Sequence, residues 1–191
     1  MSCIQRLRLS IALISAAQTL VIISYFACGV HSGPTVSSML FSLPAYRSLL
    51  MICVVLQLTL SFAYICVKRA SVVPESLLVA ALAAWIVLNS VYEDGNGKLM
   101  LEHLIAAGCF IAAAGLYLIW VFVEAVYNEP LTSDLMCVSG FCIIGALIAT
   151  IATVVCFFAD SVDTWVFEHT AFALFSATHA LLFSIGSQKG A

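Results

Sequence analysis

Two dipeptides, Glu102-His103 and Glu168-His169, are where residue type and spacing in this chain suggest chemistry. A carboxylate beside an imidazole can move a proton or supply ligands to a divalent ion. At the same constant offset Asp94 falls on Asp160, so an acid-bearing connection precedes each pair. If the two segments converge, His103 and His169 with Asp94 or Asp160 make a weak candidate zinc site with an open water position. Successive helical residues point about 100° apart, however, so Glu and His of one pair do not readily share a centre. The plainer account is helix anchoring. An acid in a first turn complements the positive helix end, and a neighbouring histidine hydrogen-bonds or neutralises it. No cofactor is therefore predicted, with zinc kept as the minor alternative.

The elements that must position these pairs are six long apolar runs. The 191 residues are 63% hydrophobic and 9% charged, and mean hydropathy is +1.13. A soluble domain carries roughly 25% charged residues, so this surface is not built for water. The sequence predicts an all-α, polytopic membrane protein. It forms one domain (1–191), a six-transmembrane-helix bundle with short loops, with helices near 9–30, 49–67, 72–91, 103–126, 136–158 and 166–186. Short connections predict antiparallel packing of consecutive helices. Pro34, Pro44, Pro74 and Pro130 fall between or at the edges of these runs, where proline is tolerated.

An even number of spans places both termini on one side. That side holds Arg6, Arg8, Lys68, Arg69 and Lys189, against Arg47 and Lys98 on the other. Basic residues favour the cytoplasm, so both termini are expected there. Glu93, Asp94, Glu102, Asp160, Asp163 and Glu168 then gather on the exoplasmic face. The first run also fits a signal peptide cleaved near Ala27-Cys28. Its length and the polar Ser15, Gln18 and Thr19 favour a retained helix.

Within the runs, Gly108, Ala112 and Gly115 recur at helical spacing, with Gly145 in the next run. Such small residues let helices approach closely, within the bundle or across a homodimer. Intramembrane titratable groups are few. Glu124 lies near a helix end, and His179 near the middle of the last run is read as a neutral imidazole bonded to a neighbouring helix. Gln57 and Asn89 are read as interhelical hydrogen-bonding groups. Most of the eight cysteines act as small apolar residues. A Cys28–Cys156 pair and palmitoylation of Cys3, Cys66 or Cys137 are the sharper alternatives.

The segment Trp85-Ile-Val-Leu-Asn-Ser-Val-Tyr92-Glu93, then His103 and a small-residue helix with Phe110, Gly115 and Tyr117, resembles the DRAM family. That family of six-helix membrane proteins includes damage-regulated autophagy modulators, phosphatidylinositol 4-kinase-associated proteins and a factor for GPI-anchor lipid remodelling. Glu168 matches the acid that members carry near the start of helix six. His31-Ser32-Gly33-Pro34 stands where members often have a Ser/Asp-rich segment. The resemblance implies a functional role for Glu93, His103 and Glu168, and a location in lysosome, Golgi or plasma membrane.

The expected function is a non-catalytic multi-pass protein modulating membrane lipid organisation, trafficking or autophagy, with lipids and other membrane proteins as partners. One alternative is an integral lipid hydrolase or acyl-remodelling enzyme using the exoplasmic Glu/His set, Glu102 and His169 included. Another is a structural subunit of a larger membrane complex. Transport is disfavoured, because no helix is broken and midplane charge is scarce. With net charge −3 and seven Lys plus Arg, nucleic acid is not a partner.

Overall fold

The computed structural model describes residues 2–28, 44–68, 72–90, 101–128, 133–159 and 164–185. Six helices account for almost all of them: α1 (Cys3–Cys28), α2 (Pro44–Lys68), α3 (Val72–Ser90), α4 (Leu101–Asn128), α5 (Ser133–Phe158) and α6 (Thr164–Ile185). Each contains a stretch long and apolar enough to cross a membrane. The all-helical, six-span architecture read from the sequence is the one observed.

The helices outrun the apolar segments, mostly at their starts, for local reasons. At α1, Ser2 Oγ accepts from the Gln5 backbone N–H at 3.2 Å, and Gln5 Oε1 accepts from the Ser2 N–H at 2.7 Å. This reciprocal capping box satisfies two otherwise orphaned donors and starts the helix at Cys3. Pro44 is the first residue of α2 and Pro74 lies in the first turn of α3. At those positions the missing N–H would have had no helical partner.

α1 lies between α2 and α6, α5 packs on α6, and α3 pairs closely with α4. Consecutive neighbours therefore pack as expected for α1–α2, α3–α4 and α5–α6. The expectation fails at α4 and α5, which meet only sparingly. Arg8 on α1 donates to the Leu182 carbonyl on α6 at 3.3 Å, while Phe26 near the other end of α1 meets the His169 ring at 5.5 Å. α1 and α6 thus run antiparallel, and the start of α1 and the end of α6 lie at one end of the bundle. α1 buries Ile11, Ser15, Gln18 and Ile22 against these neighbours.

The small-residue positions divide. A side chain added at Gly115 would meet the Phe175 ring at 3.6 Å, and one at Gly145 would meet Leu174 Cδ1 at 3.2 Å, so both seat against α6. Gly108 faces open space instead, and Ala112 is exposed on the lipid side. The close helix approach expected at these two positions is not made among the described residues.

Candidate functional site

Because α4 stands away from α5, the bundle is hollow on that side. A cavity of about 550 Å³ runs between α4, α5 and α6 and reaches α1 and α2 at its inner end. Its walls are apolar: Phe110 and Ile111 from α4, Val154 and Phe157 from α5, Phe172 and Phe175 from α6. Trp85 of α3 backs this wall, meeting Phe110 at 5.0 Å, and Phe110 stacks on Phe172 at 6.1 Å. Thr150 and Thr153 also line it, but each hydroxyl donates to its own helix at 2.8 Å. Neither hydroxyl proton is left for the cavity.

The opening is lateral. Gly108, Val154, Phe157 and Phe158 line the cavity and are also exposed on the lipid-facing surface. A hydrocarbon chain in the bilayer thus has an apolar path between α4 and α5. Such volume and apolar character are typical of small-molecule sites.

Polar groups occupy two levels. His103, Thr164 and Glu168 line the outer level, near the starts of α4 and α6. Gln18, Gln57, Ser176 and His179 line the inner level, close to the middle of the helices. There His179 Nδ1 lies 2.7 Å from Gln57 Nε2 and 2.9 Å from Ser15 Oγ. An amide nitrogen can only donate, so Nδ1 accepts, and a neutral imidazole then carries its proton on Nε2. Aromatic rings pack round it, Phe183 at 4.7 Å and Tyr117 at 5.8 Å. His179 and Gln57 thus each bond to a neighbouring helix, as their intramembrane positions suggested, and they do so with each other. Asn89 differs. Its side-chain amide donates to Trp85 O in its own helix at 2.8 Å, and its carbonyl takes the interhelical bond, from Arg47 at 2.6 Å.

The two Glu-His pairs are split by the helical turn. His103 and Glu168 line the one cavity. Glu102 is exposed, and His169 turns toward Phe26 on α1. Glu93, Asp94 and Asp160 lie outside the described residues. Among the described residues no three His, Cys, Asp or Glu side chains gather as a metal site. The cysteines whose side chains are described, Cys156 among them, are free thiols, and the Cys28 side chain lies outside that set. Sequence reasoning did not single out Gln18 and Ser176 for the site. Their signal was helical spacing: Gln18 is three residues from Ser15, and Ser176 three from His179.

At the other end, Lys68 pairs with Glu124. The same ammonium donates to Tyr64 OH at 3.3 Å, and the Arg8 guanidinium lies 6.0 Å from the Tyr64 ring centroid. Glu124 therefore has a cationic partner at the end of the bundle where α1 starts and α6 finishes.

Fold and site define an all-helical, multi-pass membrane protein with a laterally open, largely apolar cavity. Comparison with protein-family models, curated proteins and solved structures finds no match.

Proposed function

We propose that this chain is a non-catalytic membrane protein that takes lipid from the bilayer into the α4–α5 cavity and thereby modulates lipid organisation. The observation that carries this reading is the cavity itself, apolar along its walls and open toward the hydrocarbon between two weakly packed helices. A hydrolytic reading is less well supported, since the side chains at its mouth include His103 and Glu168 but bring no third metal ligand among the described residues. The DRAM-like pattern around Trp85, His103 and Glu168 supports a role in trafficking or autophagy at lysosome, Golgi or plasma membrane. The distribution of Lys and Arg supports a cytoplasmic location for both termini.

The test uses protein extracted in native nanodiscs, with its lipids identified by mass spectrometry. Gly108→Phe sets its Cβ in open space, with no atom within 4 Å, and adds a ring at the cavity opening. The variant should keep its resistance to unfolding while losing most of the lipid that co-purifies at fixed stoichiometry. Equal lipid retention by wild type and variant would remove the cavity as the functional site. Terminal tags digested by protease from outside intact cells would overturn the orientation.

A further inference from the structure

We infer that the occupant of this cavity is an uncharged amphiphile whose hydroxyl group seats at the inner, mid-bilayer end, against Gln18, Ser176 and His179. This rests on the lipid-binding reading above and specifies its ligand.

Three observations converge. First, charge selects against ordinary anionic lipids. Among the described residues lining the cavity there is no lysine or arginine, and Glu168 is the one acid. A phosphate or carboxylate would find no cationic side chain among those lining residues, which low-dielectric surroundings make costly.

Second, the inner end presents hydrogen-bonding capacity that the protein does not use. Gln18 is 4% exposed and Ser176 is 2% exposed. Gln18 Oε1 and Ser176 Oγ have no hydrogen-bond partner among the described residues. Both residues line the cavity. The antiparallel register that sets Ser15 against His179 sets Gln18 level with Ser176, one turn nearer the mouth. Both hydrogen bonds of His179 are made through Nδ1, so the Nε2–H is the donor left for a ligand. Buried polar atoms in hydrocarbon are costly unless paired. A hydroxyl matches this set, since it accepts from His179 Nε2–H and donates to Gln18 Oε1 or Ser176 Oγ.

Third, among the described residues the rest of the path offers no hydrogen-bond donor, because Thr150 and Thr153 donate their hydroxyls to their own helix. Hydrogen-bonding side chains therefore sit at the inner level and at the mouth, with aromatic wall between. That layout suits a body of hydrocarbon with one small polar end. It does not suit a polar chain throughout.

The experiment places the full-length protein in phosphatidylcholine nanodiscs and measures saturable binding of cholesterol, cholesteryl methyl ether and 1-octadecanol. The methyl ether keeps the acceptor oxygen but loses the donor. It should bind roughly tenfold more weakly than cholesterol, in line with a donor left without its acceptor. Gln18→Leu and Ser176→Ala, each with wild-type unfolding behaviour, should narrow that difference by weakening cholesterol alone. Octadecanol competing as well as cholesterol would assign the site to hydroxyl lipids generally. Cholesterol binding alone would assign it to sterols, and either result supports the inference. Equal binding of cholesterol and its ether would overturn the hydroxyl seat. A site held by phospholipid that neither alcohol displaces would overturn it also, while leaving the broader lipid-binding reading intact. Absence of any saturable lipid would sink both.

Discussion

At the end of the bundle where α1 starts and α6 finishes, Arg8, Tyr64, Lys68, Glu124 and Phe183 close on one another. At the other end α4 stands off from α5 and leaves a hollow. The contrast follows from the solvent. Lipid tails are as apolar as leucine, so no hydrophobic force draws α4 onto α5. Helices meet where packing and polar contacts hold them. The terminal end has these: the Lys68–Glu124 pair, the Arg8–Leu182 carbonyl bond and the Tyr64–Phe183 ring contact at 5.2 Å. The α4–α5 seam has Gly108 facing open space and threonines bonded to their own helix. A hollow lined with hydrocarbon costs little when hydrocarbon can fill it. The same hollow facing water would collapse or bind something.

Matched aromatic truncations would test that contrast most severely. Phe183 is 2% exposed and packed by Tyr64 and His179. Phe183→Ala should cost about 3–5 kcal/mol of resistance to unfolding in mixed detergent micelles. Phe175→Ala on the cavity wall should cost less than about half as much, because part of that ring already borders open space. Equal losses would mean that both ends are packed alike. The next largest effect is electrostatic. Glu124→Gln leaves the Lys68 ammonium without its counter-charge at a partly buried position. A loss of roughly 1–2 kcal/mol is expected, between the values for exposed and buried pairs. No change in the same unfolding assay would show that the pair does not hold the terminal end.

How far the sequence announced this molecule depends on which physical signal is asked for. Spans were legible because 63% hydrophobic residues arranged in long uncharged runs have one cheap solution in a bilayer. Helix starts were less so, since Ser2 and Gln5 form a capping box outside the apolar run and Pro44 opens a helix that it was expected to precede. His179 and Gln57 could each be read as bonded to a neighbouring helix because an unpaired polar group at that depth is costly, but not as bonded to each other. The cavity could not be read at all. Gly108, Ala112 and Gly115 share one helical spacing pattern, yet only Gly115 seats against a neighbour. Spacing reports which residues share a face, and tertiary packing decides whether that face meets protein or lipid. The Glu-His pairs were legible only as far as the helical turn allowed: His103 and Glu168 reach one cavity, and Glu102 and His169 turn away.

Glycine replacement sharpens the comparison on a smaller scale. Gly108→Ala adds a methyl group where no atom lies within 4 Å, and alanine is the better helix former. A gain of about 0.5–1 kcal/mol is expected. At Gly145 the added methyl meets Leu174 Cδ1 at 3.2 Å, so the neighbour must shift and the gain from Gly145→Ala should be smaller. A larger gain at Gly145 than at Gly108 would contradict the assignment of packed and open faces.

The smallest effect belongs to the polar knot between the two regions. Ser15→Ala removes one of the two groups bonded to His179 Nδ1 and leaves Gln57 in place. Hydrogen bonds between helices in a bilayer average about 0.6 kcal/mol by double-mutant cycles, and a loss of that size is expected here. Because Gln57 still donates to Nδ1, the imidazole should keep its proton on Nε2, and cholesterol binding at the inner end should change by less than about twofold. Gln57→Leu should cost a similar amount of stability but release the tautomer, since the remaining Ser15 hydroxyl can either donate or accept. Lipid binding in that variant should fall further than in Ser15→Ala at equal loss of stability. Equal binding losses would mean that the knot only ties helices together, with no part in what the cavity recognises.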